Sequence, residues 1–137
     1  MPSTNRTRTA TREQGRQRAD IAAAYIRAAE LVFVEDDSEV NHSVIAGLAV
    51  LAGIAASDAL CVRYSGNYPR GQDHNEAVAH LLATGTRDSH RWSQTLKRLL
   101  DLKDEAHYGF LSVSKTKARA ALGHAKLLVA AAQESFA

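Results

Sequence analysis

Apolar residues recur at helical spacing through most of this chain, and no stretch alternates with the period of a strand. The first periodic run covers residues 14–33. Its apolar positions are Ile21, Ala24, Tyr25, Ala28, Leu31 and Val32, a stripe that predicts a helix. The acidic cluster Glu35-Asp36-Asp37-Ser38 interrupts it. That cluster lacks the alternating ligands and the glycine of an EF-hand loop, so it reads as a turn.

The second run covers residues 40–64. Val44, Leu48, Leu51, Ala55, Asp58 and Val62 form one seam, while Ile45, Val50, Ile54 and Cys61 cover much of the rest. A helix apolar nearly all round belongs at the centre of a fold. Its uncharged stretch, residues 43–57, is shorter than the ~20 residues of a membrane span. Asp58 is then the one carboxylate on a core seam.

The segment from Ser65 to Gln72 carries strong turn chemistry. Asp73, with Glu76 three residues on, predicts the start of a short helix bearing Ala77, Val78, Leu81 and Leu82, which Gly85 ends. A fourth helix is expected over residues 89–107, with Trp92, Leu96, Leu99, Leu100 and Ala106 inward. Ser112 or Ser114 caps a fifth, with Ala118, Leu122, Ala125, Leu128, Val129 and Ala132 on one side. Short connections between these runs imply an all-α, antiparallel up-and-down bundle of four to five helices.

Length and composition agree with this picture. A chain of 137 residues builds one domain. Aromatics make up 6% and there are two prolines, a balance that favours helix over sheet. Residues 1–12 are polar and aperiodic, so a disordered basic tail is expected there, with a single domain over 13–137. Arg6, Arg8, Arg12, Arg16 and Arg18 concentrate positive charge near this end. They read as a solvated tail or as an arm that touches phosphate. The net charge of +2 is too small to name a partner. A single cysteine, Cys61, excludes an intramolecular disulfide and fits a reducing cytoplasm. The N-terminus lacks the apolar core of a signal peptide.

Candidate chemistry gathers around residues 98–110, RLLDLKDEAHYGF. Leu96, Leu100, Lys103 and His107 share one face of the fourth helix, and Asp104 and Tyr108 share the next. Charged groups on a core-directed face need partners. Asp58 and Lys103 lie on seams of neighbouring helices, so each can satisfy the other, with His107 or Tyr108 joining the pocket. The alternative is a lysine that reaches solvent and an aspartate bonded locally. Arg70-Gly71-Gln72-Asp73-His74 offers an arginine beside a helix start, either a plain cap or an anion site. The six histidines show neither HExxH nor a zinc-ligand spacing with Cys61, so no metal and no cofactor is expected. Neither a phosphate-binding glycine loop nor a GxSxG elbow occurs.

The segment LKDEAHYGFLSVSKTKARAALGHAKLLVAAA resembles the C-terminal half of HEPN-type helical domains, through Lys103, Ala106, His107 and Tyr108. The run AASDALCVRYSGNYPRGQDHNEAVAHLL is similar to small bacterial HEPN-like proteins at Ser57, Asp58, Ala59, Gly71, Asp73 and His74. The resemblance spans about residues 21–132. It implies a bundle of four or five helices, commonly a homodimer, in defence or toxin–antitoxin systems. Some such domains are metal-independent ribonucleases that use an arginine followed by a histidine. Here Lys103 and His107 put a lysine first with a spacing one residue short. Arg119 and His124 keep the spacing, but five positions turn about 140° around a helix.

Three functional readings follow. The favoured one is a non-catalytic module that binds a nucleotide, RNA or a partner protein in a cleft near Asp58, Arg70, His74, Lys103, His107 and Tyr108, away from any membrane. The second is a ribonuclease with His107 as general acid or base and Lys103 stabilising phosphate charge. A third, plainer reading is a structural interaction module whose polar residues only lock helices together.

Overall fold

The computed structural model describes residues 7–35, 38–71, 73–108 and 113–137, with backbone alone at Glu35, Asp104, His107 and Tyr108. Among the described residues there are five helices and two three-residue strands. They are β1 (Thr7–Thr9), α1 (Arg12–Glu35), α2 (Glu39–Ser65), β2 (Asn67–Pro69), α3 (His74–Leu82), α4 (Ser89–Tyr108) and α5 (Lys115–Ser135). The all-α bundle expected from the periodicity is the fold of the chain.

Four long helices run up, down, up and down, with α2 at the centre. The start of α1 meets the end of α2, since a Cβ on Gly15 would lie 2.8 Å from a Val62 methyl and from the Phe136 ring. Leu99 of α4 packs on Gly53 of α2, and a Cβ there would collide with Leu99 Cδ1. The α5 end is tied to the α2 end, where Arg63 Nε donates to Ser135 O and Tyr64 Oη pairs with Ser135 Oγ, both at 2.8 Å. At the other end Val113 N donates to Ser43 Oγ. Thus α2 is antiparallel to α1 and α4 and parallel to α5. Alanine-rich faces on α1, α2 and α5 make this close approach possible. The short α3 packs on α4 and β2.

The central helix is long and apolar enough to cross a membrane by length and composition, but 72% of its most apolar window is buried in the bundle. Its N-cap is Ser38, whose side chain accepts from Asn41 N. Gly66 ends it at φ 75°, a left-handed conformation that glycine adopts without steric penalty. That turn sends the chain directly into β2.

Three expectations change. Residues 7–12 are not a free tail. Thr7–Thr9 pairs antiparallel with Asn67–Pro69, and Ala10 N continues the pairing to Gly66 O. A strand this short carries no alternation signal, because only its partner across the sequence makes it a strand. The first helix begins two residues early. Thr11 Oγ1 accepts from Gln14 N while Gln14 Oε1 accepts from Thr11 N, a reciprocal capping box.

The buried face of α1 is also rotated from the expected stripe. Ala19, Ala22, Ala23, Ile26 and Ala29 face the core, whereas Ala24 is exposed and Leu31 is 69% exposed. The small residues win because they let α1 sit closer to α2 than larger side chains would. On α2 the outer part of the predicted seam, Val44 and Leu51, lies at the rim of the bundle. The inward faces predicted for α5 and for Trp92, Leu96, Leu99 and Leu100 of α4 are buried as expected.

Candidate functional site

The bundle is closed around α2 by α1, α5 and α4, and the strand pair with α3 bridges part of the remaining side. Beneath that bridge lies a cleft of about 350 Å³. Arg18 reaches it from α1, Asp58 and Ile54 from α2, and Leu100 and Lys103 from α4. The strand pair contributes Arg8 and Tyr68, and the following turn contributes Arg70, Gly71, Asp73 and His74. A second cavity, about 510 Å³, adjoins it and shares Arg8, Arg18, Asp58 and Tyr68. Its remaining walls are mostly small or apolar, among them Ala10, Gly15 and Val62.

Local structure explains the aim of each group. Asp58 sits one turn beyond Ile54 on the seam of α2 that α1 and α4 leave uncovered. Arg18 lies nearly two turns into α1 from the start that Thr11 and Gln14 fix. The short pairing of β1 with β2 brings Arg8 to the opposite rim. His80 Nε2 bonds Asn67 O at 3.3 Å and anchors α3 beneath β2. Asp73 Oδ1 accepts from Asn75 N at 2.8 Å and Glu76 N at 3.4 Å, which fixes the turn that carries Arg70 and His74. Those amides are therefore engaged. The positive charge lining the cleft comes from side chains rather than from these α3 amides.

The electrostatics centre on Asp58. Burial raises its carboxyl and the nearby Arg18 guanidinium opposes the rise, leaving it at about 7. One turn along, the Cys61 thiol is pushed up to about 12, first by burial and then by the Asp58 charge. It is a buried small hydrophobe rather than a nucleophile. Among the described residues, Arg8, Arg18, Arg70 and Lys103 line the cleft together with two carboxylates, Asp58 and Asp73. One of these is occupied with capping, and the other is partly protonated at neutral pH.

Of the six expected site residues, the structure brings Asp58, Arg70, His74 and Lys103 to one cleft. His107 and Tyr108 follow Lys103 on α4, and their side chains lie outside the described residues. Ser112, one of two proposed caps for α5, lies outside them as well; Ser114 is the cap, accepting from Lys117 N. Asp58 and Lys103 share the cleft, but the cation that acts on the Asp58 carboxyl is Arg18. Arg119 and His124 diverge as their angular separation requires. The Arg119 guanidinium lies over the Phe33 ring of α1, while His124 faces Arg98 of α4 in a separate cavity. Among the described residues no cluster of His, Cys, Asp and Glu is placed to hold a metal ion.

The sequence left Arg8 and Arg18 between a solvated tail and an arm that touches phosphate, and did not single out Tyr68. Arg18 carries a readable signal, since it precedes Ile21 and Tyr25 at i+3 and i+7 on one face of α1. Arg8 and Tyr68 reach the cleft only through a strand pairing across some 60 residues, which local pattern does not encode.

No family model, curated protein or solved structure matches this chain.

Proposed function

We propose that this chain is an HEPN-like helical-bundle protein that binds, without catalysis, a phosphate-bearing ligand in the cleft around Asp58. A nucleotide or a short piece of RNA supplies the required chemistry. One observation carries the reading: four cations from four separate segments of the chain line a single concave site. Scattered surface lysines and arginines stay apart to lower their mutual repulsion, so such convergence favours an anion between them. The volume lies at the small end of the range for small-molecule sites, enough for phosphate groups and part of a nucleotide. Tyr68 supplies an aromatic wall of the kind on which bases stack. The resemblance to HEPN-type domains adds a homodimer and a role in a bacterial defence or toxin–antitoxin system to the proposal.

The test is affinity for a nucleoside triphosphate and for a short single-stranded RNA, in wild type, Arg70→Ala and Lys103→Ala. Each variant is expected to weaken binding of at least one of these ligands by tenfold or more and to leave the melting temperature in place. Equal affinity in all three proteins would refute the reading. RNA cleavage by the wild type that His107→Ala abolishes would replace it with the ribonuclease.

A further inference from the structure

Asp58 is out of place in an anion site. It lies in the wall common to both adjoining cavities, so an anion seated among the four cations is beside its carboxyl. A carboxylate there repels the anion, whereas a carboxylic acid donates a hydrogen bond to it. From these positions, and resting on the reading of the cleft as an anion site, we infer that Asp58 is the selectivity gate of the cleft: an anion enters together with a proton on the Asp58 carboxyl.

Every element around Asp58 bears on the step. Arg18 of α1 stabilises the ionised carboxylate, and Arg8 of β1 lines both cavities with it. Tyr68 of β2 lines both cavities, and Arg70, Lys103 of α4, Asp73 and His74 at the start of α3 line the first. The neighbour on its own helix, Cys61, stays a neutral thiol. An arriving anion draws the Arg18 guanidinium to itself and withdraws its support from Asp58. The carboxylate then takes up one proton from solvent, and its new O–H donates to the anion. The proton uptake per anion equals the fraction of Asp58 still ionised, about half a proton at pH 7, and it removes the repulsion of the carboxylate rather than the whole charge of the anion. Desolvation already holds the carboxyl near neutrality, so this uptake needs little additional free energy at physiological pH.

Sulfate is the probe, since its charge is constant between pH 6 and 8. Its affinity is measured by amide chemical-shift titration at fixed ionic strength in wild type, Asp58→Asn and His74→Gln. Histidine is included because it is the other residue type here able to change charge near neutrality. A carboxyl titrating at about 7 is nine-tenths protonated at pH 6 and one-tenth at pH 8, so wild-type affinity is expected to fall about tenfold over that range. His74→Gln keeps the larger part of that fall, and Asp58→Asn loses it while binding tightly at both values. A fall that survives in Asp58→Asn, or a wild-type affinity independent of pH, overturns the gate and leaves the anion site standing. Absence of sulfate binding in all three proteins at both pH values overturns both.

Discussion

Replacing Asp58 with asparagine changes the pH dependence of folding in a way fixed by the position of the carboxyl. Its folded value is raised from an ordinary 3.8 to about 7. Between these values the folded chain holds a proton that the unfolded chain has released. Stability is therefore highest below the ordinary value, falls as pH rises, and levels off above 7. Each pH unit across the window amounts to about 1.4 kcal/mol, so the complete loss is at most about 4 kcal/mol. Between pH 5 and pH 8, where both ends are measurable, it is about 2.5 kcal/mol. Asparagine keeps the shape of the protonated acid and carries no charge at either pH. Urea unfolding of wild type and Asp58→Asn at fixed ionic strength reads the effect. The difference between the two proteins is expected to grow in favour of the variant by about 2 kcal/mol from pH 5 to pH 8. A difference constant across that range would show that the carboxyl is not buried among these groups and would remove the electrostatic basis of the cleft.

Other parts of the structure make independent claims. Gly53→Ala gains about 1 kcal/mol of helix propensity, but its Cβ collides with Leu99 Cδ1 and overpacking costs about 1–3 kcal/mol. A lowered melting temperature is expected, and pairing it with Leu99→Ala tests the cause, since the two changes should be less than additive. Asp73→Ala removes the acceptor for two amides of α3 and is expected to lower stability by about 1 kcal/mol in denaturant titration, with Asp73→Ser retaining most of it. Phe136→Ala empties the space beneath Gly15 and should cost about 3–5 kcal/mol, measured the same way. The Cys61 thiol, buried and raised to about 12, should react with a thiol-specific reagent at pH 8 only as fast as the protein unfolds.

The helices were legible because period and punctuation agree. Asp73 opens α3, which stops at Leu82 with Ala83 as its cap rather than at Gly85, Ser114 opens α5, and the unbroken apolar surface of α2 places it at the centre. The rotation of α1 was not legible, because alanines stand on both of its faces and composition does not say which face approaches closest. For the cleft, two core-facing positions at odds with their surroundings, Asp58 and Lys103, marked where α2 and α4 open. The turn chemistry of residues 65–72 placed Arg70 and His74 near a helix start. The pairing of β1 with β2 is a long-range event with three residues on each side, so the part played by Arg8 emerges only in three dimensions. Arg18 rather than Lys103 acts on Asp58 through the packing of α1 along α2, a tertiary contact that no local pattern records.

The most direct measurement is a map of where an anion binds. Titration of the isotopically labelled protein with inorganic pyrophosphate, followed amide by amide, should move signals at Arg18, Asp58, Tyr68 and the Arg70–His74 turn together and saturably. The response should weaken as salt rises, as an electrostatic site requires. Signals that move elsewhere on the bundle, or stay still around Asp58 at saturating pyrophosphate, would contradict the assignment of this cleft as the binding site.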